Sequence, residues 1–534
     1  MNRKKSLSGK MVDLMADNQY KERKLFEGRS GRMVQCYLVC GISAFVALLI
    51  YSKCSPLYPF NDWYDANVFF TMGKGMVRGR VIYAELYDHK GPYLYLLYGI
   101  GYLISHYDFY GVFLLEVISL FLFLVFSYRT ICLYAERPAL WFMPVYCIGI
   151  VISGAFVHGG SLEEFSLSIL SYALYSILRL LKTGEIKTGM VVINGFLAGV
   201  LFWAKFTLVG AHAVFFLIMV FYFWKAGKRR EAIHLGLVFA GAVILATVPW
   251  LIYFGIHNAY ASWFGTYLWD NIYSYPTDKF SFGKTLRNIV VLPTAFLIRK
   301  GNLMFTAPII LGAVGYLFLP GKITRIGILE RITVFAMAGG LAAGQYIGGA
   351  DQSYYGLPLA IFGILFPICA LLLKWICFSD FVKKPFWGMA VSMVALGISS
   401  VVGYPISDNT YLLGVPKAEL PQFRFAEQIL QAGGEEQTIL NYGFLDCGIY
   451  TVLDQVPNVY YFCSTNLNYG KIVSVQDEYL KDQLTRYVVS WEPYQCDEEE
   501  LLQPSVLTEY YELKDYCDHY MECYYYTYAL WERK

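Results

Sequence analysis

The chain has 534 residues, of which 57% are hydrophobic and 16% charged, and its mean hydropathy is +0.43. Soluble domains average about 45–50% apolar and about 25% charged residues, so this excess does not fit inside one globular core, and a disordered chain is excluded as well. The net charge of +2 gives no global signal for nucleic acid, but from Ser407 onward about 21 acidic residues face about 8 basic ones. That asymmetry divides the chain into a basic membrane body and an acidic, water-soluble tail.

Residues 1–32 are polar and rich in Lys and Arg, and no small-residue cleavage site follows the first apolar run. They read as a cytosolic basic arm leading into a signal anchor. A helix needs about 20 mostly apolar residues to cross a bilayer. About 11 stretches between residues 33 and 405 meet that need: Met33–Tyr51, Gly111–Ser127, Leu140–Val157, Phe165–Leu181, Gly189–Leu208, Val209–Trp224, Ala232–Phe254, Leu303–Leu319, Ile332–Gly348, Gly356–Trp375 and Gly388–Val402. Alternate loops carry the Lys and Arg, with Lys225, Lys228, Arg229 and Arg230 the densest group. Placing those loops and the N-terminal arm in the cytosol requires an odd number of spans, with the tail outside. The chain is thus expected to be a multi-pass cell-membrane protein with an extracytoplasmic C-terminal domain.

Tyr93–Ser105 is too short to cross, and counting it would invert every later loop. It is read as an interfacial helix, and Val68, Phe69, Met72 and Met76 recur at helical spacing in a second one. The first external loop, residues 52–110, then consists of two helices resting on the membrane surface. Residues 406–534 alternate strand-like and helix-like runs. Strands are predicted at Gln437–Tyr442, Val459–Phe462 and Tyr487–Ser490, helices at Asp446–Asp454 and Gln476–Leu484, and a Tyr-rich edge or hairpin over Tyr510–Tyr528. The rhythm is that of a small α/β domain.

Asp65 follows the first span on the outer side, and a partly desolvated carboxylate there is suited to accept a proton from a hydroxyl. Asp62 shares this argument, and capping of the next helix is the alternative for either residue. Arg78, Arg80, Asp88, His89 and Lys90 follow, with cations on the side that normally lacks them, where they contact headgroups or hold the phosphate of a lipid-linked substrate. Gly91-Pro92 makes a fixed turn that aims Lys90.

Glu163 and Glu164 stand at the mouth of a span, either in use or as a capping box with Ser161. Lys205 lies deep in its apolar stretch, at the outer ends of two consecutive spans, where it snorkels or binds an anionic leaving group. Asp270, Asn271, Tyr273, Asp351, Gln352, Tyr354 and Tyr355 are polar or aromatic residues of outer segments that suit sugar contacts. The 12 Cys are scattered without zinc-ligand spacing, so no structural metal site is predicted. No Walker A, GxGxxG, HExxH or GxSxG motif is present, which argues against ATP-driven pumping.

The run from Asp65 through Met76 to Lys90-Gly91-Pro92, followed by a Tyr-rich apolar helix, resembles the first external loop of the GT-C glycosyltransferases, in the branch of the protein O-mannosyltransferases and aminoarabinose transferases. In that pattern an Asp opens the interfacial helix, a Met falls eleven positions later and a Lys-Gly-Pro or Lys-Pro leads into the second. The branch often has Asp-Glu where this chain has Asp65-Ala66, so nothing carries over for that Glu. The acidic Glu163-Glu164 loop and the Lys205 turn also match family positions.

The resemblance implies a GT-C-like membrane domain at residues 33–405. It implies an inverting transfer of a sugar from a polyprenyl-phosphate donor to a glycan, lipid or protein acceptor at the outer membrane face. Asp65 would be the base and Glu163 or Glu164 would orient the acceptor. Lys90 and Lys205, with Arg80, would hold the departing phosphate, and His89, Asp62, Tyr354 and Tyr355 would complete substrate binding. No cofactor is implied with certainty, and the acidic residues are too sparse to require a divalent metal. The competing classes are a transporter or flippase of a lipid-linked saccharide and a scaffold for cell-wall glycan assembly. The gathering of polar residues at one face, without two related halves, argues against the transporter.

Overall fold

The computed structural model describes residues 31, 33–135, 140–275, 281–321, 326–373, 385–433, 437–521 and 524–534. Among them, six helices are long and apolar enough to cross a bilayer: α1 (Met33–Tyr51), α4 (Tyr110–Ile131), α6 (Leu162–Thr183), α7 (Thr188–Lys205, continued by a short turn to Leu208), α9 (Arg229–Ile256) and α12 (Leu303–Phe318, preceded by a turn from Lys300). The other apolar stretches also fall on helices, most of them shorter: α5 (Phe142–Val151), α8 (Gly210–Lys225), α13 (Ile328–Tyr346), α14 (Leu365–Leu372, running on from a 3₁₀ segment) and α15 (Pro385–Gly403). The sequence reading missed α11 (Phe282–Ile298), whose Lys284 and Arg287 interrupt the apolar run, and an irregular π-helical segment at Phe264–Ser274, reached through the short α10 (Tyr260–Trp263).

Both helices of the first loop are present, as α2 (Tyr64–Val77) and α3 (Pro92–Ile104). They cross at glycines: a Cβ on Gly73 would stand 2.5 Å from the Gly99 backbone nitrogen, so only glycine permits this approach. α2 does not rest bare on a surface. Ten consecutive residues from Ala66 to Gly75 are buried, because one side packs on α3 and the other on the C-terminal domain. Thr71 donates to Asp446 Oδ2 at 2.6 Å and Lys74 Nζ to the Tyr450 carbonyl at 2.5 Å. Tyr460 receives the Tyr87 amide on its carbonyl at 3.1 Å and donates its hydroxyl to the Tyr83 carbonyl at 3.1 Å.

The C-terminal domain is a four-stranded sheet in the order β1 (Ile439–Asn441), β2 (Tyr487–Glu492), β4 (Tyr524–Arg533), β3 (Tyr511–Met521). β1 and β2 are parallel, with Leu440 opposite Val488 and the helix Tyr469–Lys481 in the connection. β4 pairs antiparallel with β2 and, as the expected hairpin, with β3. Val459–Phe462 is not a strand. Its carbonyls serve Asn441 on one side and Tyr87 on the other, so this apolar run bridges the sheet and the first loop.

Candidate active site

α2 begins after Trp63, with no side chain capping it. Neither aspartate is a cap. Asp62 is buried and bound three ways: by Lys53 Nζ at 2.6 Å, by His519 Nε2 of β3 at 3.1 Å and by the Tyr411 hydroxyl. Burial acts to raise its carboxyl, but Lys53 and His519 prevail and hold it below the usual carboxylate range. It ties the first loop to the C-terminal domain and lines neither of the cavities described here.

Asp65 sits one residue into α2, on the wall of a cavity of about 200 Å³ that it shares with Trp63, Asp88, His89, Lys90 and Tyr354. The Tyr354 hydroxyl points at Asp65 Oδ2 from 3.4 Å. Burial pushes the Asp65 carboxyl up, Lys90 opposes this and Asp88 adds to it, and the net direction is upward. A carboxylate with a raised pKa and, among the described residues, no ion-pair partner is a better proton acceptor than an ordinary surface aspartate.

A second cavity, of about 770 Å³, lies on the other side of His89, Lys90 and Tyr275, which line both. Lys205 faces this second space, along with Phe206, Ile272, Tyr355 and the backbone around Gly344. α7 stops at Lys205, whose extended φ of −161° breaks the helix before the turn Phe206–Leu208. The Tyr267 hydroxyl repairs the break: it donates to the Phe202 carbonyl and accepts the Phe206 amide at 3.2 Å. Lys205 Nζ bonds Glu163 Oε1 and lies 4.1 Å from the Tyr355 ring centroid and 5.6 Å from that of Tyr354. Gln345, positioned by Thr207 at 2.7 Å, reaches the same Glu163 oxygen at 3.4 Å.

Lys90 Nζ is 3.1 Å from His89 Nε2, and His89 Nδ1 stands 3.3 Å from Asp88 Oδ1. Burial and Lys90 lower the His89 pKa while Asp88 acts to raise it, and the Lys90 ammonium donates toward Nε2. The Tyr95 hydroxyl donates to Asp88 Oδ2 at 2.7 Å, and Asn271 to the His89 carbonyl at 2.6 Å. Burial acts against the Lys90 charge, but Tyr275, Asp65 and Asp88 outweigh it, and Lys90 stays cationic.

The adjacent glutamates part company. Glu163 serves Lys205, while Glu164 turns away and accepts the Gly160 amide at 3.0 Å. Ser161 caps α6 by accepting the Glu164 amide at 3.1 Å, although the Glu164 carboxylate reaches one residue before the position a capping box requires. Glu164 also neighbours Glu116 of α4, which receives the Ser52 hydroxyl. Arg80 is exposed, 3.7 Å from Glu85, and is not brought to either cavity. Asp351 pairs with Arg299 at 3.1 Å. The sequence reading passed over Tyr275 and Gln345, since an interfacial tyrosine and a glutamine inside an apolar helix carry no motif.

No family model and no curated protein matches the sequence. Solved structures do match. ArnT from Cupriavidus metallidurans in the apo state aligns with a TM-score of 0.58 at 13% sequence identity, covering 94% of this chain and 98% of that one. The structure of ArnT bound to undecaprenyl phosphate gives a TM-score of 0.56 at 14% identity, over 92% and 97% of the two chains. From its first apolar helix to the C-terminal sheet, this chain shares the fold of the ArnT structures.

Proposed function

We propose that the protein is an inverting glycosyltransferase that moves a sugar from a polyprenyl-phosphate carrier to an acceptor hydroxyl at the outer face of the cell membrane. One observation carries this reading: the Asp65 carboxylate and the Lys205 ammonium face separate cavities that meet at Lys90. A displacement with inversion needs its base and its leaving-group cations on opposite sides of the anomeric carbon, and this arrangement supplies both.

In the reaction, the acceptor oxygen gives its proton to Asp65 and attacks the anomeric carbon. The bond from that carbon to the phosphate oxygen breaks, and the phosphate leaves with the electron pair. A phosphate needs cations rather than an acid to depart, and Lys205 and Lys90 are those cations. Glu163, braced by Gln345, holds Lys205 in place. The larger cavity has aromatic and aliphatic walls suited to the first prenyl units, and its volume is within the about 300–1,000 Å³ usual for ligand sites. The undecaprenyl phosphate carried by ArnT supports a lipid-linked donor for the same fold.

The test is Asp65→Asn in the full-length protein, assayed for transfer from a radiolabelled prenyl-phosphate sugar in membranes. Loss of turnover by about 100-fold or more, with undecaprenyl phosphate binding intact, agrees with the base role. Turnover near wild type rejects it.

A further inference from the structure

The cavity beside Asp65 is closed in part by residues that belong to the C-terminal domain. Thr465 and Asn466 line it together with Trp63 and Tyr354, and with Gln352 and Ser353 from the segment before Leu357. The domain is held in this position by the Asp446 and Tyr460 bonds to the first loop and by the Asp62–His519 contact. The Ser464 amide is fixed to the Phe444 carbonyl at 2.7 Å and its hydroxyl to Gln476 at 2.9 Å, so the neighbouring Thr465 has a set place. Thr465 is buried, and its hydroxyl donates to the Leu467 carbonyl at 3.1 Å, which leaves its oxygen lone pairs for a donor in the cavity.

Size and charge limit the occupant. The space is about 200 Å³, well under the 770 Å³ of its neighbour. That is below the range of drug-sized sites and admits one ring or a short hydroxylated side chain, not a chain of rings. Amide and hydroxyl groups among aromatic faces suit a polyol. The charged groups are two carboxylates, Asp65 and Asp88, against one ammonium, Lys90, which is also turned to the donor side. A phosphate or carboxylate on the acceptor would enter a field of its own sign.

We infer that this cavity is the acceptor subsite, that it takes a single uncharged sugar residue at the end of the acceptor, and that Thr465 and Asn466 of the C-terminal domain select it. The inference rests on the transferase reading above.

The test uses full-length protein in detergent, with binding read by saturation-transfer NMR. The probes are a panel of uncharged methyl pyranosides and furanosides, the phosphate esters of the same sugars, and undecaprenyl phosphate. At least one methyl glycoside is expected to bind about ten-fold more tightly than its phosphate ester. Asn466→Ala, at an exposed position, and Thr465→Val should each weaken that glycoside by about five-fold and leave undecaprenyl phosphate unaffected. The inference is overturned if the phosphate esters bind as well or better, if both variants keep wild-type glycoside affinity, or if no glycoside binds while undecaprenyl phosphate does. Failure to bind undecaprenyl phosphate counts instead against the transferase reading.

Discussion

The Gly91 amide donates to the Ala204 carbonyl at 3.1 Å, and this bond joins the loop that carries Lys90 to the broken helix end that carries Lys205. The two residues lie more than a hundred positions apart in the chain, yet each stands next to one of the proposed phosphate ligands. A Cβ on Gly91 would stand 2.1 Å from the Trp203 carbonyl oxygen and 2.6 Å from that of Ala204. Gly91→Ala therefore has to push the lysines apart. We expect a stability loss of about 1–3 kcal/mol, typical of overpacking, together with a rise in donor KM larger than the stability change explains. Thermal unfolding and steady-state transfer kinetics on the same preparation check this.

In the proposed reaction Asp65 acts as its carboxylate, and burial raises its pKa. The base is therefore lost on acidification at a pH above the ordinary aspartate value of about 3.9. The acid limb of the kcat/KM profile should bend in that raised range, with activity falling as pH falls, and Asp65→Asn should remove the limb along with the activity. A profile that stays flat down to the ordinary aspartate range contradicts the assignment.

Asp62 should behave in the opposite way. Its folded-state pKa is depressed by Lys53 and His519, so its contribution to stability is present above the unfolded value and is lost as pH falls through the folded one. Asp62→Ala leaves Lys53 buried without its carboxylate, a change that costs about 3–5 kcal/mol in comparable buried pairs. The expected result is a lower Tm, and easier proteolytic release of the C-terminal domain, for Asp62→Ala but not for Asp65→Asn. Melting curves and limited proteolysis of both variants make the comparison.

Lys205→Ala removes the proposed charge-assisted contact to the leaving phosphate and takes the cation from Glu163, which keeps Gln345 as a partner. A rise in donor KM of about ten-fold or more is expected, and Glu163→Gln should reproduce part of it, because Glu163 acts by holding Lys205. Arg80→Ala, at an exposed side chain outside both cavities, should keep donor KM within about two-fold of wild type. Donor titrations of the three variants distinguish these outcomes.

The sequence by itself determined the membrane-borne class, most of the apolar helices and the two amphipathic segments of the first loop, but not α11 or the Phe264–Ser274 segment. Those depend on apolar run length and helical spacing, which are local properties of the chain. It also marked Asp65, Lys90, Glu163 and Lys205, since ionisable residues beside apolar runs are costly and stand out. It left Asp62 level with Asp65 and Glu163 level with Glu164, and it grouped Arg80 with Lys90. Only the tertiary structure separated them. Neighbouring side chains on a helix start point in different directions, and their partners, Lys53 and His519 for Asp62, Lys205 for Glu163 and Gly160 for Glu164, come from distant parts of the chain. The enclosure of Asp65 by Thr465 and Asn466 was beyond local reading for the same reason: it depends on how the acidic domain docks on α2, which is set by long-range contacts such as Thr71 with Asp446.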